Sequence, residues 1–144
     1  MQTRPSGWII RSMVRPCFLI IDREFPGSIS TRKLVIESAK FNVLTAYSGK
    51  EALQLFKRFS ALDGIVLDGG IEDISADDLT REMKVMQPKI PIIVIAAPGF
   101  EGCPGADFQL ESFNPAKLLE ILRGLKPMES AQIEKRNEDL SRER

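Results

Sequence analysis

At 144 residues, 43% hydrophobic and 28% charged, the chain has the make-up of one globular domain, which excludes collagen-like, disordered and membrane-spanning classes. Lys+Arg and Asp+Glu are both 20, so the formal net charge is +0 and no extended basic surface for nucleic acid is expected. The 0 histidines remove His-based triads, imidazole metal sites and a His general base.

Residues 1–15 read as a flexible N-terminal arm, with Met13 as an alternative start. Arg4, Arg11 and Arg15 precede the first acid, Asp22, but the apolar cluster Trp8-Ile9-Ile10 is too short for a signal segment. No run approaches the ~20 apolar residues that a spanning helix needs, so neither a membrane nor a nucleic-acid partner is expected. From Cys17 the pattern becomes regular. Cys17-Phe18-Leu19-Ile20-Ile21-Asp22 and Gly64-Ile65-Val66-Leu67-Asp68 are apolar runs that close on an acid, and Pro91-Ile92-Ile93-Val94-Ile95-Ala96 is a third. Such β-branched runs suit a parallel sheet covered on both faces. Asn42-Val43-Leu44-Thr45-Ala46 and Asp107-Phe108-Gln109-Leu110-Glu111 read as weaker, edge-type strands.

Helices fall between these strands. Ile29, Lys33, Ile36 and Ala39 give the first its stripe. Ser48 with Glu51 forms a capping box ahead of Ala52, Leu53, Phe56 and Phe59, and Ser75 with Asp78 a looser one ahead of Leu79, Met83 and Met86. Asn114 caps a last helix, with Pro115 at its first position and Leu118, Leu119, Leu122 and Leu125 on its apolar face. Pro98-Gly99-Phe100-Glu101-Gly102-Cys103-Pro104 is too short and too rich in Pro and Gly for a regular helix. Residues 16–126 thus form the domain, and 127–144 a charged tail whose alternative reading is a helix pairing along Ile133 and Leu140. Cys17 and Cys103 fit no metal or redox spacing and read as free thiols, as suits a reducing cytoplasm.

Alternating strands and helices predict a doubly wound α/β fold with its chemistry at the carboxyl ends of the strands. Asp22 and Asp68 end neighbouring strands there, and two carboxylates side by side suit a hard cation such as Mg²⁺ or phosphoryl chemistry.

Residues 16–126 resemble the receiver domain of bacterial two-component response regulators. The resemblance is carried by Phe18-Leu19-Ile20-Ile21-Asp22-Arg23-Glu24, by Val43 to Leu53, by Ile65-Val66-Leu67-Asp68 and by Ile92 to Ala97. Gly105-Ala106-Asp107 and Asn114-Pro115-Ala116-Lys117-Leu118-Leu119 follow in register. It implies a flavodoxin-like five-stranded parallel sheet of order 2-1-3-4-5, a phosphoryl group accepted on an aspartate from a histidine kinase, and Mg²⁺ as cofactor. On that resemblance Asp68 is the candidate phosphoacceptor, Asp22 one of the acidic pair, and both the metal ligands if Mg²⁺ binding is retained.

The remaining positions depart from the pattern. The second acid is Arg23, the hydroxyl residue after the fourth strand is Ala96, and the lysine after the fifth is Glu111. The Pro-Gly expected after the acceptor is replaced by Glu72-Asp73, and the fourth helix, between the fourth and fifth strands, is short or missing. A fixed guanidinium repels a metal, and a carboxylate repels phosphate. The expectation is therefore a degenerate pseudo-receiver without cofactor, a non-enzymatic protein-interaction module whose partner is a histidine kinase or a downstream effector. Arg23 is expected to sit in the metal's place, bonding Asp68, Glu111 or both. A receiver still phosphorylated on Asp68 and a small-molecule-binding pseudo-receiver are the alternatives, and the oligomeric state stays open, a homodimer included. A flavin protein fits less well, since Asp22-Arg23-Glu24 stands where its phosphate loop would be, and Ser48-Gly49-Lys50 lacks the glycine frame of a P-loop.

Overall fold

Each apolar run becomes a strand of one sheet: β1 (Cys17–Ile21), β2 (Asn42–Ala46), β3 (Gly64–Asp68), β4 (Ile92–Ile95) and β5 (Phe108–Leu110). The computed structural model describes residues 15–23 and 30–142; residues 1–14, nearly all of the expected arm, residues 24–29, with Ile29 of the expected first stripe, and residues 143–144 of the expected tail lie outside the described residues. All four strand pairings are parallel and the order is β2-β1-β3-β4-β5, as the resemblance implies.

Period-two alternation divides the strand side chains between two cores. Leu19, Ile21, Ile65, Leu67, Ile92 and Val94 face one side, where helices α2 (Gly49–Arg58) and α3 (Ala76–Met86) contribute Ala52, Phe56, Leu79 and Met83. Phe18, Ile20, Val66, Ile93 and Ile95 face the other, under α1 (Thr31–Ser38) and α4 (Pro115–Leu125), which supply Ile36, Leu118 and Leu122. The caps fall at the predicted residues: Ser48, Ser75 and Asn114 accept the N–H of Glu51, Asp78 and Lys117. Helix α5 (Pro127–Arg142) follows and packs Ile133 against the α1 and α4 side, while Lys126 Nζ reaches Asp63 Oδ1 at 3.0 Å. No helix among the described residues is long and apolar enough to cross a membrane.

No helix joins β4 to β5. The connecting loop instead takes positive φ at Gly99 (81°) and Gly102 (115°), a region open to glycine at no steric cost. It plugs back into the body: Cys103 is buried with Sγ 3.4 Å from Thr80 Oγ1, and Phe100 lies so close over Gly69 that a Cβ there would stand 2.9 Å from its ring.

Candidate functional site

Parallel pairing places Ile21 of β1 beside Leu67 of β3, so the residues that follow, Asp22 and Asp68, emerge together at the carboxyl edge. Both are only 3% exposed. Buried carboxylates need donors, and all four oxygens have one. Asp22 Oδ1 accepts the Arg23 N–H at 2.8 Å, and Oδ2 accepts the Ser30 hydroxyl at 2.8 Å. Asp68 Oδ1 accepts the Gly70 N–H at 2.6 Å, and Oδ2 accepts Arg32 Nη1 at 2.7 Å. The same Arg32 nitrogen stands 3.8 Å from Asp22 Oδ1, so one guanidinium lies between the two carboxylates.

Local sequence sets this up. Ser30 caps α1, accepting the Lys33 N–H while donating to Asp22, and so brings the first turn of α1 against the end of β1. Arg32 is the second residue of that helix, and its Cζ sits 5.5 Å from the Phe113 ring centroid, within cation–π range. Asp22, Arg23, Thr31, Arg32, Asp68 and Phe113 line a cleft of about 360 Å³.

Arg23 does not occupy the place expected of it. Its Nε is 3.9 Å from Asp68 Oδ2, beyond hydrogen-bond length, and its side chain is 56% exposed. The chain leaves β1 in a direction that turns the Arg23 main-chain N–H inward and carries the guanidinium over Gly70, where Nη1 would lie 3.0 Å from an added Cβ. Glu111 is exposed at the end of β5 and forms no ion pair among the described residues, so Arg23 and Glu111 do not pair. Ala96 follows β4, half-buried, with its N–H donated to Leu110 O at 2.8 Å. Arg32 was the residue missed. Its signal is the pair Arg32-Lys33 in the first turn of a helix with no acid there, where the dipole disfavours cations.

No family model matches the chain. The transcriptional regulatory protein GlrR of Escherichia coli (strain K12) is 28% identical over 85 residues, which are 59% of this chain and 19% of GlrR. Among solved structures, the response regulator TrrA of Thermotoga maritima superposes with a TM-score of 0.63 at 25% identity, covering 76% of this chain and 98% of that one. A CheY-like receiver domain from Methylobacillus flagellatus gives 0.67 at 21% identity, covering 78% and 100%. The fold is that of a response-regulator receiver domain. The chain spans about one fifth of the length of the curated relatives it matches, at 19%.

The TrrA structure is a complex with Mg(2+)-BeF, which makes a divalent cation the group to test against this pocket. Mg²⁺ demands near-octahedral oxygen ligation at roughly 2.0–2.1 Å. Here the four carboxylate oxygens already accept donors, and a guanidinium bonded to Asp68 stands 3.8 Å from Asp22. Among the described residues no group of three or more His, Cys, Asp or Glu could hold a metal ion. The described residues do not fit the metal.

Proposed function

We propose that this receiver domain is degenerate and acts in two-component signalling as a phosphorylation-independent protein-interaction module, not as an enzyme. The observation that carries this reading is the chemistry of the β4 and β5 strand ends. A phosphoryl group on Asp68 would need donors for its oxygens, but Ala96 has no hydroxyl and Glu111 is an exposed carboxylate. Neither residue offers a side-chain donor. Asp22 and Asp68 then keep the structural part of the old pocket, with Asp68 as the residue any phosphorylation would use.

The partner is a histidine kinase or a downstream effector, met in the cytoplasm. The face rebuilt by the β4–β5 loop supports a changed contact. Phe108 on the edge strand is 38% exposed and Val85 near the end of α3 is 78% exposed. The alternative of a phosphorylatable receiver draws on the place of Asp68 at the end of β3, lining the cleft.

Incubation with acetyl phosphate and Mg²⁺ tests the choice by intact mass. In a phosphorylatable receiver an Asp68 carboxylate oxygen attacks phosphorus and acetate leaves. The expected result is no phosphoryl adduct, with partner binding equal in the wild type and in Asp68→Ala. A stoichiometric adduct that disappears in Asp68→Ala would restore the ordinary phosphoacceptor role.

A further inference from the structure

We propose that Arg32 is the resident cation of this pocket, a guanidinium clamp that stands in for a divalent ion and closes Asp68 to phosphoryl donors. The inference rests on the degenerate reading above and assigns its working residue.

Four observations converge. Two carboxylates buried to 3% exposure at adjacent strand ends would repel one another without a counter-charge, and Arg32 Nη1 lies between them at 2.7 and 3.8 Å. The Arg32 side chain is only 15% exposed, against 56% for Arg23, so Arg32 is the cation that has left water. Its position in the first turn of α1 opposes the helix dipole, and no acid in that turn compensates, so the pull must come from the carboxylates. Phe113, in the segment before α4, then gives the guanidinium a π face at 5.5 Å.

The chemical consequence follows from what a guanidinium is. It offers only hydrogen-bond donors and, unlike a metal ion, cannot coordinate ligand oxygens. A charge-assisted hydrogen bond on Asp68 Oδ2 engages one lone pair of that oxygen and lowers its nucleophilicity, and Oδ1 accepts the Gly70 N–H. Arg32 thus does two things at once. It offsets the charge of the pair, and it makes the Asp68 carboxylate a poorer nucleophile.

The test combines thermal unfolding with Mn²⁺ titration followed by water proton relaxation. In the wild type, millimolar Mg²⁺ should leave Tm unchanged and Mn²⁺ should show no saturable site. Arg32→Gln should lower Tm by about 10 °C and gain a Mg²⁺-dependent rise. Adding Arg23→Asp to Arg32→Gln should tighten Mn²⁺ binding at least tenfold, roughly the gain expected when one repulsive charge becomes a ligand. An Arg32→Gln protein with wild-type Tm and no metal response would overturn the clamp while leaving the degenerate reading intact. A phosphoryl adduct on the wild type would instead overturn that reading. Independently of how any variant folds, NMR of the wild-type Arg32 guanidinium should show hindered rotation and slow solvent exchange at neutral pH. Free rotation with fast exchange would overturn the clamp.

Discussion

Two arginines sit within 4 Å of Asp68, and their exposure decides what each is worth. Arg23 is mostly solvated and 3.9 Å away, so Arg23→Ala should change stability by only about 0–1 kcal/mol in denaturant titration. Arg32 is largely withdrawn from water and directly bonded, so Arg32→Ala leaves two buried carboxylates without their cation and should cost roughly 3 kcal/mol. A double-mutant cycle pairing Arg32→Ala with Asp68→Ala should show coupling, whereas Arg23→Ala with Glu111→Ala should be additive. Gly69 makes a separate residue-scale case. Its missing Cβ is what lets the Phe100 ring close over the end of β3, with a built Cβ only 2.9 Å away. Gly69→Ala must displace a ring, and a loss of about 1–3 kcal/mol is expected, as for other overpacked sites.

At the scale of elements, the loop after β3 is tied to α2 by Asp73. Its two oxygens accept the N–H groups of Gly49 at 2.8 Å and Lys50 at 2.9 Å, a carboxylate placed on a helix N-terminus. Partial burial works to raise the Asp73 pKa, but these backbone hydrogen bonds together hold it below the ordinary carboxylate value. The folded pKa is depressed, so the contribution is fully present above the unfolded carboxylate value and is lost as pH falls through the folded one. Asp73→Ala should remove about 0.5–2 kcal/mol at neutral pH, in the range of a lost helix cap. It should also flatten the acid limb of the stability profile, which urea titrations at stepped pH would show. Lys126 carries the opposite sign at the start of α5. Its hydrogen bond and attraction to Asp63 raise its pKa, so this tether is intact below the ordinary lysine range and fades as pH rises above it.

At the scale of the whole molecule, stability is graded across the sheet. All five residues of β3 and all four of β4 are buried, while β5 has three residues of which only Leu110 is. β5 is also an edge, bordered by a loop where a covering helix would otherwise lie. Hydrogen exchange should therefore protect β1, β3 and β4 to near the global unfolding free energy and release β5 first. Truncating Ile93 to Ala at the fully buried centre should cost roughly 2–5 kcal/mol and lower protection in every strand. Comparable protection of β5 and β3 would show that the loop docked through Cys103 and Phe100 stabilises the edge as well as a helix would.

Much of this was legible in the residues alone. Apolar runs of four to six residues with β-branching, capping residues at fixed offsets and a Pro-Gly-rich gap are local signals. The strands, the capped helices and the loop between β4 and β5 follow from them because local propensity and burial agree, whereas the strand order came from the family resemblance. Placing Asp22 and Asp68 side by side needed only the rule that such sheets present their strand ends together. The identity of their counter-ion did not follow. Arg23 is adjacent to Asp22 in sequence, yet backbone direction at the end of β1 sends its side chain out over Gly70. Arg32 lies ten positions away, but the Ser30 cap swings its helix turn against both carboxylates and Phe113 closes behind it. Charge type is written in sequence, whereas the direction of a side chain depends on the dihedral angles and packing of elements far apart along the chain. That is why the tertiary structure alone decided which arginine is the cation of this site.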